Sequence, residues 1–112
     1  MSATSMEPGS LVIVNCLNPQ EKLWGLLLRL DVLGAVVRGL NLSSREDWLA
    51  QEKAGKGGFV MPSTVFVPMH RVERIYLDES SPAAPSFGSR FLASCGRDVA
   101  QALMSGECEG SS

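Results

Sequence analysis

The stretch TVFVPMHRVERIYLDE, Thr64 to Glu79, constrains the fold more than any other. An apolar run meets Pro68, which has no N–H to contribute to a ladder, so a strand must end or bend there. Met69-His70-Arg71 then forms a corner, and the chain resumes as a strand from Val72 to Leu77. In that second strand the apolar positions Val72, Ile75 and Leu77 do not share one parity. A bulge near Glu73-Arg74 would turn all three to the same face. Two strands joined at a proline corner need further strands to pair with, and the N-terminal half supplies them.

SLVIVNCLN, Ser10 to Asn18, has the length and apolar content of a strand covered on both faces, and Asn18-Pro19 ends it in a turn. EKLWGLLLRLD, Glu21 to Asp31, is open to two readings. Its leucines favour a helix, whereas Gly25 inside the run and the β-branched segment beyond it favour a strand. The strand reading gives a hairpin over 22–42, in which Asp31-Val32-Leu33-Gly34 makes a type I turn with Gly34 left-handed. A short helix over about 44–53 follows: Ser43 and Ser44 can cap it, Glu46 and Asp47 complete a capping box, Trp48 and Leu49 supply its apolar contact, and Gly55, Gly57 and Gly58 end it.

DESSPAAPS, Asp78 to Ser86, reads as a linker, its core at 80–85. Beyond it Phe87, Phe91, Cys95, Val99 and Leu103 recur every four residues, the spacing of an apolar helical stripe. A strict four-residue repeat drifts by about 40° per step on a straight helix. Gly96 therefore divides the segment 86–105 into two helices, 86–95 and about 97–105. Residues 1–9 and 106–112 are expected to be flexible ends of a single domain whose sheet occupies 10–79.

The whole-chain numbers limit the function classes. With 112 residues, 45% of them hydrophobic and 20% charged, the chain can build one modest core. A net charge of −2 provides no overall field for nucleic acid or anionic membrane. No apolar run approaches the roughly 18 residues that cross a bilayer, and MSATSMEPGS lacks the features of a signal peptide, so the expected location is the cytoplasm with no membrane partner. Cys16, Cys95 and Cys108 are odd in number and widely spaced, which suggests neither disulfides nor a zinc site. Cys16 and Cys95 read as small core residues.

Five short strands in the order strand, hairpin, helix, strand, proline corner, strand resemble a small antiparallel β-barrel of the Sm-like or Src-homology-three-like kind. The glycine hairpin and the VFVPMHRVERI corner carry that likeness. NPQEKLWGLLLRLD, VVRGLNLSSREDWL and VFVPMHRVERIYLDE together resemble a group of small bacterial proteins without an established function, over roughly residues 11 to 105. The resemblance implies a five-stranded barrel with an inserted helix and a C-terminal helical appendage. It implies no activity, because fold alone does not supply one.

Five residues stand out as candidates for a site. His70 is the single histidine; catalysis or metal binding would demand a nucleophile, a positioning carboxylate or further ligands, and Glu73, three residues on, falls on the opposite strand face unless a bulge intervenes, so a structural corner is the reading adopted. Arg38, Arg71 and Arg74 could form a basic patch for carboxylate or phosphate, against the alternative of ordinary cross-strand pairs with nearby acids. Trp48, on a short helix beside glycines, is the candidate anchor for a partner. KAGKGG lacks the P-loop pattern and is set aside. No catalytic residue, metal ligand or cofactor is assigned. The function expected is a non-enzymatic interaction or assembly module with a protein partner or a second copy of itself; RNA or single-stranded nucleic-acid binding through the arginines is the alternative.

Overall fold

Alternation of apolar residues with period two produces five strands, and the periodic C-terminal stripe produces two helices. The structure, a computed structural model, describes residues 6–55, 58 and 60–110, with the backbone alone over 106–110. The strands are β1 (Leu11–Cys16), β2 (Glu21–Asp31), β3 (Gly34–Asn41), β4 (Ser63–Pro68) and β5 (Val72–Leu77). The helices are α1 (Arg45–Ala54), α2 (Phe87–Cys95) and α3 (Val99–Gly110), with single 3₁₀ turns at Leu42–Ser44 and Met69–Arg71. All strand pairs are antiparallel, in the order β4-β3-β2-β1-β5. The expected flexible end is tied down at residues 9 and 10: Gly9 N–H donates to Leu27 O and Leu27 N–H to Ser10 O, each at 2.8 Å. Residues 1–5 and 111–112 lie outside the described residues.

Each face of the sheet has its own apolar layer. On one face Trp24, Leu26 and Leu40 meet Trp48 and Leu49 of α1, Phe87 and Phe91 of α2, and Val99, Ala102 and Leu103 of α3. The C-terminal stripe is thus covered by the chain's own sheet. On the other face Val12, Val14, Cys16, Leu27, Ala35, Val37 and Val67 pack together, flanked by Leu23, Val65, Val72, Ile75 and Leu77. Among the described residues no helical residue belongs to this second layer, yet Val12 and Leu27 are 0% exposed. A flat sheet cannot bury one of its own faces to that degree, so the sheet curls over these side chains. β4 and β5 stand at the two ends of the strand order and do not pair with each other, so the curled sheet is not closed by hydrogen bonds.

The local devices of the curl are visible in the register. Asn15 opposes Arg74 and Cys16 opposes Val72, which leaves Glu73 as the extra residue of a bulge. Val72, Ile75 and Leu77 consequently pack on the same inner layer, as their broken parity predicts. Gly25 of β2 lies opposite Gly39 of β3. A Cβ on Gly25 would collide with the carbonyl O of Arg38, and one on Gly39 with that of Trp24. Only glycine permits backbones to approach so closely.

Three expectations need correction. Asp31 pairs with Gly34 across a two-residue loop, and Gly34 has φ +156°, outside the left-handed helical well assigned to it. Glycine is required there because a Cβ would meet Val67 O of β4. Ser44 precedes α1 but its φ of −96° and ψ of −1° continue the 3₁₀ turn, so its side chain makes no cap bond. A cap residue needs an extended backbone to aim its hydroxyl back, and Ser86 has it (φ −64°, ψ 161°), accepting Ser89 N–H at 3.1 Å to start α2. α3 also continues as helix to Gly110 instead of ending near 105.

Candidate interaction surface

The five candidate residues do not converge. His70, in the 3₁₀ corner, is exposed. Among the described residues no group of three or more His, Cys, Asp or Glu could hold a metal ion. Trp48 is 1% exposed, its ring stacked on Phe91 with centroids 5.0 Å apart and tilted against Trp24 at 5.8 Å. It is a core residue, which corrects its assignment as a half-exposed anchor: α2 covers the face that the neighbouring glycines suggested was bare.

The basic patch is likewise not assembled. Arg38 is 7% exposed; its Nε donates to Leu103 O at 2.7 Å and its Nη1 lies 3.5 Å from Thr64 Oγ1. A guanidinium held against α3 in this way presents no charge to a surface ligand. Arg71 fastens the corner to the β1–β2 turn, donating to Leu17 O and Pro19 O at 2.8 Å and to Glu21 Oε2 at 3.0 Å. Arg74 lies on β5, where its Nη1 reaches Tyr76 Oη at 3.2 Å, a bond that raises its pKa. Each arginine thus has a separate structural engagement.

What the tertiary structure does assemble is the free edge of β4. Phe66 on that strand is 55% exposed. Gly34, at the end of the β2–β3 hairpin, lies beneath its ring, close enough that a Cβ there would touch Phe66 Cε1 at 2.9 Å. The hairpin tip next to it carries Val32 and Leu33, 88% and 67% exposed, and Met69 N–H donates to Leu33 O at 2.9 Å. A cleft of about 350 Å³ runs along β4. Its floor is Leu23, Val37, Val65 and Val67, and Arg71 and Glu21 stand at its polar side. The cleft is walled by β2, β3 and β4, with Arg71 of the corner at its mouth.

The two edges differ in character. STVFVP of β4 contains no charged residue. VERIYL of β5 carries Glu73 and Arg74, both exposed, and the bulge at Glu73. Charges and bulges are the usual protection of an edge strand against pairing with another chain. β5 has both; β4 has neither, and only its short length and Pro68, which has no N–H to offer a partner, limit pairing there.

Near the cleft, burial pushes the Cys16 thiol up from its ordinary value, against the opposing pull of Arg71. Cys16 is 1% exposed and packs in the inner layer. On the helical layer Arg45 spreads over the ring of Phe87, 4.5 Å from its centroid, and burial lowers its pKa. No helix is long and apolar enough to cross a membrane among the described residues.

Compared with known proteins, the chain matches no family model, no curated protein and no solved structure. Sequence reasoning missed Phe66, Val32 and Leu33. The readable signal was an uncharged, β-prone pentapeptide, STVFV, before Pro68.

Proposed function

We propose that this chain is a non-enzymatic interaction module built on a small, incompletely closed β-barrel, and that it works by accepting an extended polypeptide along β4. The observation that carries this reading is the pairing of an uncharged free strand edge with an exposed Phe66 and an adjoining apolar cleft. An added strand gains main-chain hydrogen bonds from the edge, and its alternate side chains fall on the cleft and on Phe66. The barrel reading, Sm-like or Src-homology-three-like, is supported by the inner layer that draws residues from all five strands and by the 3₁₀ turn at the proline corner. Kinship with the small bacterial proteins that the sequence resembles is part of the same proposal, as is a cytoplasmic location.

Selection of random peptides on the immobilised protein, followed by amide chemical-shift mapping, tests the reading. The expected result is a set of peptides with alternating apolar residues whose shifts centre on Ser63–Val67 and whose binding is lost in Phe66→Glu. Binders that map away from β4, or no binders, overturn it. RNA binding at low salt that survives Phe66→Glu and falls steeply as salt is added would favour the nucleic-acid alternative instead.

A further inference from the structure

We propose that the natural occupant of the β4 edge is β4 of a second copy of the chain, paired antiparallel about a two-fold axis with Phe66 opposite Phe66. This rests on the reading of β4 as the docking edge and names its partner. The choice of partner follows from charge. An uncharged strand edge is matched by another uncharged strand edge, and the chain itself supplies one in β4. The other edge is a poor mate, because β5 would set exposed Glu73 and Arg74 and a bulged backbone against the apolar STVFVP. Pairing β4 with β4 is isologous and closes at two copies, whereas pairing β4 with β5 is heterologous and would build a ring or an open fibre.

Side-chain parity selects the register. Strand partners opposite each other point to the same face, so a two-fold pairing must centre on a residue. Centred on Phe66, it sets the two Phe66 side chains opposite each other, opposes Val65 to Val67 on the inner face, and leaves Thr64 facing Pro68, which has no N–H to give. Centred on Val65, it would oppose Phe66 to Thr64 and the buried Val67 to Ser63. The first arrangement keeps apolar against apolar, and aromatic pairs are among the favourable cross-strand contacts. A six-residue strand pair is small beside a standard interface of about 1,600 Å². The dimer is therefore weak and depends on concentration.

Sedimentation equilibrium of the full chain from micromolar to millimolar concentration tests the proposal, alongside two single variants, Phe66→Glu and Tyr76→Glu. Wild type is expected to pass from monomer to dimer; Phe66→Glu weakens association about tenfold or more by opposing two carboxylates at the axis, and Tyr76→Glu on β5 leaves it unchanged. A second measurement is independent of how Phe66→Glu folds. With Cys95 and Cys108 replaced by serine, Phe66→Cys is expected to yield a disulfide-linked dimer on mild oxidation, and Leu92→Cys on exposed α2 is not. A wild type that stays monomeric throughout, a dimer that survives in folded Phe66→Glu, loss of the dimer in folded Tyr76→Glu, or absence of the Phe66→Cys cross-link overturns the proposal. Monomeric protein that still binds selected peptides along β4 removes self-pairing alone; monomeric protein that binds none removes the docking edge as well.

Discussion

Arg38 on β3 donates its Nε to the main-chain O of Leu103 on α3 at 2.7 Å, a bond between residues 65 positions apart in the chain. It joins the middle of the sheet to the last helix in a place where Arg38 is 7% exposed. Replacing Arg38 with Ala removes this bond and the guanidinium's packing against α3, and is expected to cost about 1.5–3 kcal/mol, the range for hydrogen bonds to charged groups. Urea unfolding followed by Trp fluorescence checks this. A change within experimental error would show that α3 docks without the bond.

An aromatic cluster joins the sheet to the helices. Phe91 is fully buried and stacked on Trp48, and Trp24 meets Phe87 edge-on at 4.8 Å. Phe91→Ala is expected to lose about 3–5 kcal/mol, which approaches the whole stability of a domain this size. Its unfolding midpoint in urea should therefore collapse towards zero. Leu92→Ala, one residue on but 57% exposed, should shift it by no more than about 0.5 kcal/mol.

Glycines in the sheet and at the helix ends should respond differently to the same substitution. A Cβ at Gly39 meets the Trp24 carbonyl, and backbone there cannot move without breaking β2–β3 pairing. Gly96 has φ +71° and nothing within 4 Å of its would-be Cβ. Gly96→Ala is expected to cost about 1–2 kcal/mol, the left-handed penalty alone. Gly39→Ala should cost more than that, by overpacking and lost register together. Thermal unfolding of the two variants side by side checks the order; a milder effect at Gly39 contradicts the close approach.

Arg90 of α2 clasps Glu46 of α1 with two hydrogen bonds, 2.8 and 2.7 Å. The Arg90 bond holds the Glu46 carboxyl below its ordinary value. A carboxylate whose folded pKa is depressed contributes stability above its unfolded pKa, about 4.3, and loses it as pH falls through the folded value. The side chains are 39% and 57% exposed, so solvent screens the pair. A double-mutant cycle of Arg90→Gln and Glu46→Gln is expected to give a coupling of about 0.2–1 kcal/mol at pH 7 that shrinks with salt and disappears in acid below the folded value. Coupling that persists in strong acid would assign it to packing of Arg90 over Phe87, 5.2 Å from the ring centroid, rather than to charge.

Local patterning made much of this fold legible. The broken parity of Val72, Ile75 and Leu77 announced the bulge at Glu73, and Gly96, with φ +71°, divides the C-terminal stripe as its drift requires. Strand, hairpin and helix-pair assignments hold because each rests on neighbours in sequence. The fate of long-range residues was not legible. Arg38 on an alternating strand looks like a surface arginine until α3 is laid over it, and Trp48 looks exposed until α2 is.

The amino-acid order alone determined most element positions, the shared face of Val72, Ile75 and Leu77, and that β4 carries no charge; it left Glu21–Asp31 open between helix and strand. Only the folded chain decided which faces are covered and which edge is left bare. Periodicity reports the orientation of a residue within its own element. Burial depends on what arrives from elsewhere in the chain, and no local pattern encodes that.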